Sequence, residues 1–553
     1  MPSVETASAI LESLDALGVT HVLYCPGSRS APFAYALEAG SFGGDARAVL
    51  DERGAGFAAV GLARTGGLPA VVVTSGTAVA ELAPAVLEAS HARLPLLLLT
   101  ADRPGELRGV GASQATDQAG FFGTHVRASI DLEPQEVAPS LVGHLARAVA
   151  AACGAPSGAP GPVQVNVAFR DPLTPVRPAC DCGDEAGASF VPRPTRVLAA
   201  PAVPVPWEDV VGPAAAGLIV AGEGASPRAR EWSEASGFPL LAEPASGAWS
   251  GGGVTPFEQT LVASSLGSEV DAVVVTGRPT LSRPIQALLA RPDVRVVVVD
   301  PHSPWVDISG NAAVVVADLE PAREPIRAAQ AEWASRVRDA ARDAGERIES
   351  LLSAGSGRTM LDLARAVAAS TSGPLVLGAS NPVRAFDLAV PTLEGRAVHS
   401  NRGQAGIDGT IATAVGIALG SGYAGEASAS EGERVTAVIG DLTACHDASS
   451  LALASSVRAN LDIVVADDQG GGIFATLEHG RAASPEAYDR WFGLAQSVDY
   501  EALAAAYGVA FARAETPAQL AQLLETGEAG PRLVHAPVER AAHLYPALRD
   551  VLS

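Results

Sequence analysis

Short apolar, β-branched runs alternate along this chain with Ala-, Leu-, Glu- and Arg-rich segments of helical period. We predict strands from the nine clearest runs, at 71–74, 94–100, 163–167, 218–221, 272–276, 294–300, 375–378, 435–439 and 463–466. Strands that alternate with helices at this spacing form parallel sheets with helices on both faces. The pattern therefore predicts an α/β fold of doubly wound parallel sheets.

Two stretches divide the predicted strands into three groups. Residues 171–210 are rich in proline and glycine, and residues 321–352 form an Arg-, Glu- and Ala-rich helical segment followed by a Ser/Gly-rich turn. A chain of 553 residues also exceeds what one core usually supports. We predict an N-terminal domain at 1–180, a central α/β domain at 190–345 and a C-terminal domain at 356–553.

Charge and composition narrow the class of protein. The net charge of −23 argues against nucleic acid or an anionic membrane as a partner. No apolar run approaches the roughly 20 residues of a membrane-spanning helix, and no signal-peptide pattern is present. The five cysteines show no usual zinc-binding spacing; they are Cys25, Cys153, Cys180, Cys182 and Cys445. We therefore expect a cytoplasmic protein with free thiols.

The chain contains no lysine, so all 38 basic side chains are arginine. This excludes Schiff-base aldolases, pyridoxal enzymes and P-loop nucleotidases, each of which relies on a lysine. Any carboxylate or phosphate that a basic side chain holds must be held by an arginine.

Acidic residues follow two neighbouring predicted strands. Gly440 and Asp441 end one apolar run, and Asp467 and Asp468 end the next one. Parallel strands would place these carboxylates together at the carboxyl edge of a sheet, where α/β folds bind ligands. Carboxylates there suit Mg²⁺ with a phosphate group, and the glycines from Gly470 onward let the backbone approach it. The alternative is that both pairs are ordinary strand-end turns.

A second candidate is Glu52, which lies between an apolar run and a helix start of small residues. Burial at such a place raises the pKa of a carboxyl group and suits it to acid–base chemistry. The alternative is that Asp51 or Glu52 only complements the helix dipole.

The Gly440-Asp441 and Asp468 arrangement resembles that of thiamine-diphosphate enzymes, which have a Gly-Asp pair and, one strand later, an Asn-rich pair. This chain departs from them at Leu442, often a glycine, at Asp467-Asp468, usually two asparagines, and at Gln469. The resemblance implies that Glu52 contacts the cofactor's aminopyrimidine, reaching the metal site of a partner chain. Which of the two adjacent aspartates binds the metal stays open.

Further motifs narrow the resemblance. They are Pro-Gly-Ser-Arg-Ser-Ala-Pro at 26–32, Asp-Glu-Arg-Gly at 51–54, Thr-Ser-Gly-Thr-Ala at 74–78, Thr-Ala-Asp-Arg-Pro at 100–104 and Ser-Asn-Arg-Gly at 400–403. Together they resemble the 2-succinyl-5-enolpyruvyl-6-hydroxy-3-cyclohexene-1-carboxylate synthase family of menaquinone biosynthesis. The similarity runs from about residue 10 to 545 and is weak in the central domain.

This resemblance implies a transferase that decarboxylates 2-oxoglutarate and adds the remainder to isochorismate. The implied cofactors are thiamine diphosphate and Mg²⁺ or Mn²⁺, in a homodimer or homotetramer. The implied catalytic residue is Glu52, and the implied cofactor ligands are Ile407 beneath the cofactor with Gly440, Asp441, Asp468 and Gly470, of which the last three hold the metal. The implied substrate residues are Ser28, Arg29, Arg103 and Gln114 for isochorismate, and Ser380, Arg384 and Arg402 for the donor.

Several alternatives remain at this stage. The family's central-domain basic pair is reduced here to Arg283. Taken singly, each arginine could cap a turn or lie on a solvated surface, and Ile407 could belong to the core. The rival functions are a thiamine-diphosphate enzyme that uses pyruvate, a non-catalytic cofactor-binding homologue, and a nicotinamide-binding protein that uses the loop at 222–224.

Overall fold

The computed structural model describes residues 3–134, 139–175, 193, 195–324, 326–421, 433–527 and 529–553. Residues 176–192 and 194 of the predicted linker at 171–210 lie outside these residues, and Cys180 and Cys182 with them, so the predicted domain boundaries there stay a prediction. The three described cysteines are free. The chain forms two compact units, one of Met1–Ala200 with Ala412–Glu426 and one of Pro201–Ile411 with Ala427–Ser553.

The first unit contains a parallel sheet with strand order β2-β1-β3-β4-β6-β5 in its described part. Its strands are β1 (His21–Tyr24), β2 (Asp45–Ala48), β3 (Pro69–Val73), β4 (Leu96–Asp102), β5 (Ser129–Leu132) and β6 (Pro162–Ala168). Every residue of β3, β4 and β6 is buried, as expected for strands covered on both faces. The order reverses between β1 and β3, which places a ligand-binding crevice at their carboxyl ends.

The second unit contains two further parallel sheets among the residues the structure describes. The five-stranded sheet, in the order β11-β10-β9-β7-β8, consists of β7 (Gly217–Ala221), β8 (Leu240–Ala242), β9 (Ala272–Thr276), β10 (Arg295–Val299) and β11 (Ala312–Val316). The six-stranded sheet, in the order β13-β12-β14-β15-β17-β16, consists of β12 (Leu375–Leu377), β13 (Val398–His399), β14 (Val435–Gly440), β15 (Leu461–Asp467), β16 (Ala510–Arg513) and β17 (Pro531–Pro537).

Helices connect the strands on both faces of the sheets. They are α1 (Ser3–Ala16), α2 (Ala31–Glu38), α3 (Glu52–Arg64), α4 (Thr77–Glu81), α5 (Ala83–Ala92), α6 (Pro139–Ala152), α7 (Trp207–Val210), α8 (Ala229–Ser236), α9 (Glu258–Ala263), α10 (Ser265–Glu269), α11 (Arg283–Leu289), α12 (Ala328–Ser353), α13 (Met360–Ser370), α14 (Asn381–Ala389), α15 (Thr410–Ser421), α16 (Asp441–His446), α17 (Ser450–Ser456), α18 (Gly472–Ala475), α19 (His479–Ala482), α20 (Pro485–Tyr488), α21 (Tyr500–Ala506), α22 (Pro517–Glu525) and α23 (Leu544–Arg549). None of the described helices is long and apolar enough to cross a membrane.

All nine predicted strands are present, and the α/β fold of doubly wound parallel sheets is confirmed. The predicted helix at 321–352 is α12, which begins later, at Ala328. The loop at 222–224 owes its first glycine to packing, because a side chain at Gly222 would collide with the backbone of Arg278 and Pro279. That observation accounts for the glycine without a bound nucleotide.

Helix α3 packs against α15 with almost no side-chain volume between them. A side chain at Gly61 would meet the carbonyl oxygen of Thr413, and one at Gly416 would meet the carbonyl oxygen of Ala58. The backbones of the two helices are therefore in direct contact. This contact holds the helix that begins at Glu52.

Candidate active site

The motifs of the first unit meet at the carboxyl ends of its strands. Ser28 and Arg29 follow β1, Glu52 follows β2, and Arg103 follows β4. Asp51 caps α3 by accepting a hydrogen bond of 3.2 Å from the backbone nitrogen of Gly54. The cap places Glu52 at the first helical position, facing the end of the sheet.

Glu52 lies in a concave site of about 470 Å³ that Thr77, Glu81 and Gln114 also line. Burial raises the pKa of the Glu52 carboxyl, its own backbone hydrogen bond opposes that rise, and the charges of Asp51 and Glu81 add to it. The site therefore keeps this carboxyl group protonated at a higher pH than a free glutamate.

Arg103 and Gln114 form one network beside this site. Nη1 of Arg103 donates to Oγ of Ser75 at 2.5 Å and to the carbonyl oxygen of Gln114 at 2.7 Å. The side-chain amide of Gln114 donates to the carbonyl oxygen of Ser75 at 2.9 Å. Gln114 adopts a left-handed backbone conformation, φ 54°, that this network supports.

Arg29 donates from Nη1 to the carbonyl oxygen of Phe169 at 2.8 Å. Burial lowers the pKa of Arg29, the charge of Asp171 raises it, and the charge of Arg103 lowers it. Ser28 is exposed beside it. The structure thus places Ser28 and Arg29 at the same sheet edge as Arg103.

The sequence did not reveal a buried polar layer behind this edge. Asn166 donates to Oδ2 of Asp102 at 3.0 Å and accepts from the amide of Gln118 at 2.8 Å. Arg108 also pairs with Asp102 at 3.0 Å. These contacts fix Asp102, whose Oδ1 accepts from the backbone nitrogen of Arg103 at 2.7 Å.

In the second unit, the acidic pairs meet as predicted. Asp441 follows β14 and is buried; its carboxylate accepts from the backbone nitrogens of Leu442 at 2.8 Å and Gly470 at 2.6 Å. Burial raises the pKa of Asp441 to about 6, and the charge of Asp467 adds to the rise. Burial also raises the pKa of Asp468 to about 7, to which the charge of Asp441 contributes.

The two adjacent aspartates have different surroundings. The carboxylate of Asp467 is engaged on both oxygens, by Nε2 of His535 at 2.9 Å and by the backbone nitrogen of Gln469 at 2.9 Å. The hydrogen bond from His535 lowers the pKa of Asp467. Asp441 interacts with both aspartates, but among the described residues Asp468 has no histidine partner. This difference favours Asp468 as the second carboxylate of a metal site.

Position 470, two residues after Asp468, has room only for glycine. Gly470 has φ 133°, and a side chain there would collide with the carbonyl oxygen of Gly493. Arg540 donates to the carbonyl oxygens of Asp468 and Gln469 and holds this loop. Packing against Gly493 therefore accounts for the glycine at 470, and Arg540 fixes the conformation of the loop.

The donor set also fits a hard divalent cation. No group of three or more His, Cys, Asp or Glu side chains in the described residues could hold a metal ion. Two carboxylates, from Asp441 and Asp468, with the Gly470 carbonyl suit Mg²⁺, which completes its shell with phosphate oxygens and water. Carboxylates whose pKa values are raised by burial and mutual charge gain stability from such a cation.

Asp468 and Asp467 can be distinguished by paired substitutions. Asp468→Ala is expected to weaken Mg²⁺-dependent cofactor binding by about tenfold or more, because it removes a ligand oxygen, whereas Asp467→Asn is expected to change it by less than about threefold. Titration of Mg²⁺ followed by quenching of protein fluorescence on cofactor binding measures both. A larger loss in Asp467→Asn than in Asp468→Ala would reverse the assignment.

Two of the predicted substrate arginines converge. Nη1 of Arg384 donates to the carbonyl oxygen of Ser380 at 2.8 Å and to that of Ala379 at 3.3 Å, and Nη1 of Arg402 donates to the same Ala379 oxygen at 3.2 Å. We call Arg384 and Arg402 the arginine pair. Burial lowers the pKa of Arg384, and the charge of Arg402 lowers it further. Nε of Arg402 is buried without a hydrogen-bond partner in the described residues.

The remaining predicted residues of this unit are Arg283, Ser380 and Ile407. Arg384 and Arg283 line one cavity of about 940 Å³. Arg283 is largely exposed and pairs weakly with Glu478 at 3.4 Å. Ser380 precedes α14, and Ile407 lies half-buried just before α15. Arg283 is therefore less fixed than the arginine pair.

A set of buried acids that the sequence did not reveal lies behind the arginine pair. We call Glu243, Glu258 and Asp387 the acid cluster; each is at most 3% exposed. Burial is the main cause that raises the pKa of each. Both carboxylate oxygens of Glu258 lack a hydrogen-bond partner among the described residues. A neutral carboxyl group is the form that fits such a position.

Because of the acid cluster, we expect the stability of the folded protein to depend on pH. Burial raises the pKa of Glu258, so this group holds its proton to a higher pH in the folded than in the unfolded protein. Its contribution to the free energy of unfolding is therefore complete below the unfolded pKa and is lost as the pH rises through the folded pKa. Each unit of that difference is worth about 1.4 kcal/mol. Glu258→Gln removes this loss, so the variant should exceed the parent at pH 8 by about 2–4 °C in Tm or more, and match it near pH 4.5.

Thermal unfolding of both proteins at the two pH values measures this effect. Glu346→Gln, which changes an exposed carboxylate, is the matched control and should leave the pH dependence unaltered. A parent and a Glu258→Gln variant with parallel pH profiles would contradict the neutral form of Glu258.

Two family models match parts of the chain. Residues 4–121 match the thiamine pyrophosphate enzyme, N-terminal TPP binding domain. Residues 384–536 match the thiamine pyrophosphate enzyme, C-terminal TPP binding domain. The chain is thus a thiamine-diphosphate enzyme, as the Gly440-Asp441 and Asp468 arrangement predicts.

Curated relatives cover nearly the whole chain. The 2-succinyl-5-enolpyruvyl-6-hydroxy-3-cyclohexene-1-carboxylate synthase of Kineococcus radiotolerans is 43% identical over 96% of this chain and 95% of its own length. The proteins of the same name from Renibacterium salmoninarum and a Nocardioides species are each 39% identical, over 98% and 97% of this chain and 95% of their own lengths. This chain therefore belongs to the 2-succinyl-5-enolpyruvyl-6-hydroxy-3-cyclohexene-1-carboxylate synthase family.

Proposed function

We propose that this protein decarboxylates 2-oxoglutarate and adds the remaining four-carbon unit to isochorismate in a 1,4 sense, in menaquinone biosynthesis. The product is 2-succinyl-5-enolpyruvyl-6-hydroxy-3-cyclohexene-1-carboxylate. The observation that carries the proposal is the convergence of Arg384 and Arg402 on one carbonyl oxygen, with a buried N–H of Arg402 still unused. A donor with a distal carboxylate satisfies that arrangement, and pyruvate, which lacks one, does not.

The cofactor, when bound, supplies the carbon nucleophile and the electron sink for decarboxylation. Asp441, Asp468 and the Gly470 carbonyl would hold Mg²⁺ or Mn²⁺ on its diphosphate, with Gly440 leaving space beside it, because no atom lies within 4 Å of where a Gly440 side chain would begin. Ile407, half-buried before α15, would support the cofactor from below.

Glu52 would hydrogen-bond the aminopyrimidine ring nitrogen. Its raised pKa suits this role, because the carboxyl group must hold a proton at that nitrogen near neutral pH. The cap by Asp51 fixes the start of α3 and so fixes the direction of the carboxyl group. Glu52 is the proposed catalytic residue.

The acceptor would bind at the edge of the first unit's sheet. Isochorismate is a dicarboxylate, and Arg29 and Arg103 supply two guanidinium groups there. The carbonyl oxygens of Phe169 and Gln114 orient these arginines at 2.8 and 2.7 Å. Ser28 and Gln114 would add neutral hydrogen bonds.

The donor would bind at the arginine pair. The carbonyl oxygens of Ala379 and Ser380 orient the two guanidinium groups, and Oγ1 of Thr280 accepts from Arg402 at 3.1 Å. Ser380 would contact the reacting part of the donor. Arg283, at the cavity rim, would contribute charge and no fixed geometry. A homodimer or homotetramer and a cytoplasmic location complete the proposal.

Mass spectrometry of the product tests this proposal. Purified protein is mixed with thiamine diphosphate, Mg²⁺, 2-oxoglutarate and isochorismate, and reactions that omit each component in turn are the controls. A succinylated cyclohexene adduct that needs all four components is the expected result. No adduct with 2-oxoglutarate, together with an adduct from pyruvate, would overturn the choice of donor.

A further inference from the structure

The acid cluster and the arginine pair form one buried, charged set. Its members come from four segments: Glu243 follows β8, Glu258 lies on α9, Arg384 and Asp387 lie on α14, and Arg402 follows β13. Tyr545 of α23 lies near Arg384. Burying so many ionisable groups is costly unless their charges balance. The protonation of Asp387 and Glu243 therefore depends on the charges of the arginine pair.

The hydrogen bonds indicate how the charges balance. Glu258 has no hydrogen-bond partner for either carboxylate oxygen in the described residues, which fits a neutral acid. Asp387 accepts a hydrogen bond from the Gln259 amide, and Glu243 accepts one of 2.6 Å from the backbone nitrogen of Leu281. Burial raises the pKa of Asp387 to about 7 and that of Glu243 to about 8, so these two acids carry the charge that offsets the two guanidinium groups in mildly alkaline solution.

The two arginines oppose the effect of burial on these acids. Burial raises the pKa of Asp387, and its hydrogen bond from Gln259 and the charges of Arg384 and Arg402 lower it. Burial raises the pKa of Glu243, and the charge of Arg402 is among the causes that lower it. A carboxylate bound to the arginine pair neutralises part of the arginine charge that lowers the pKa values of Asp387 and Glu243. Both acids then hold protons more tightly.

We propose that binding of the donor's distal carboxylate to the arginine pair is coupled to uptake of a proton by Asp387 or Glu243. The two acids are then positioning residues: they keep both arginines charged and in place when the site is empty, and one gives up its negative charge when the substrate brings its own. The coupling selects for a donor that carries a second carboxylate. The inference rests on the proposed function, since it takes 2-oxoglutarate as the donor.

Calorimetry with glutarate, an unreactive dicarboxylate of the same length, tests the coupling. Glutarate is titrated into the protein with thiamine diphosphate and Mg²⁺ at pH 8, in phosphate and in Tris, which differ widely in ionisation enthalpy. The expected result is a binding enthalpy that depends on the buffer and corresponds to uptake of nearly one proton per site. The Kd for glutarate should also rise by up to about tenfold per pH unit above neutrality. The same enthalpy in both buffers would overturn the proposal.

Substitutions assign the proton to the two acids. Asp387→Asn and Glu243→Gln keep the shape of each side chain and remove its titration, so each should reduce proton uptake and flatten the pH dependence of Kd. If one of these two variants fails to fold, the other still tests the assignment. Glu346→Gln, an exposed carboxylate on α12, is the control and should bind glutarate like the parent. A purely structural role would weaken binding equally at every pH and leave the uptake intact.

The assay for the reaction product, run on the same preparations, separates the two proposals. Product from 2-oxoglutarate with buffer-independent glutarate binding, or with no glutarate binding, overturns the coupling alone. Buffer-dependent glutarate binding without product overturns the proposed function and leaves the coupling at a carboxylate site. Uptake that persists at full size in both Asp387→Asn and Glu243→Gln overturns the assignment to these acids.

Discussion

Replacement of Glu52 by glutamine is expected to lower kcat by about 10²–10⁴-fold while thiamine diphosphate remains bound. Glutamine keeps the size of the side chain and can still accept a hydrogen bond, but it cannot hold a titratable proton at the aminopyrimidine nitrogen. The Asp51 cap and α3 do not depend on the Glu52 carboxyl group, so the fold should be unchanged. The loss should therefore fall on turnover and not on binding.

Product formation gives kcat, and fluorescence quenching gives cofactor affinity for the same samples. Glu38→Gln is a matched control, because Glu38 is exposed at the end of α2 and does not line the concave site. That variant should stay within about threefold of the parent in kcat, as is usual for a surface substitution. A Glu52→Gln enzyme with near-parent turnover would remove Glu52 from the catalytic role.

Arg402→Ala should lower kcat/KM for 2-oxoglutarate by about 10²–10³-fold, and Arg384→Ala by a similar factor. Removing one partner of a buried, charge-assisted contact typically costs about 2–5 kcal/mol. Arg402 is the more buried of the two and also bonds Thr280, so Arg402→Lys should recover little, because a lysine lacks the planar fork.

The pattern across donors distinguishes the proposed function from its rival. Under the proposed function, the two alanine variants lose 2-oxoglutarate use, whereas any slow reaction of pyruvate is not reduced in proportion. Arg481→Ala is the control, because Arg481 lines the same large cavity without joining the arginine pair. Near-normal 2-oxoglutarate kinetics in both alanine variants would contradict the donor assignment.

The fold could be predicted as far as local pattern determines it. The nine predicted strands follow the clearest apolar, β-branched runs, and all are present. Strand β17 was missed because Arg532 and His535 interrupt its apolar pattern. Both are buried by partners distant in sequence, at 2.7 Å from Asp462 and 2.9 Å from Asp467. Such pairings cannot be read from a single segment.

The candidate site also combines residues that local motifs reveal with residues whose role depends on partners distant in sequence. The motifs identified Arg384, Arg402, Asp441 and Asp468, and the structure brings each pair together. The sequence left open which of the adjacent aspartates could hold a metal, because the choice depends on His535, which lies far along the chain. The acid cluster was invisible for a similar reason: its members lie on three separate segments, and burial alone gives them their chemistry.

The backbone contact between α3 and α15 has a consequence for engineering. Gly61 and Gly416 meet carbonyl oxygens directly, so this crossing has no rotamers that could repack after a change. Glycine has no side chain to shorten at these two positions, and any larger residue would push α3 away from α15. A mutational library aimed at new substrates should therefore hold these two glycines constant.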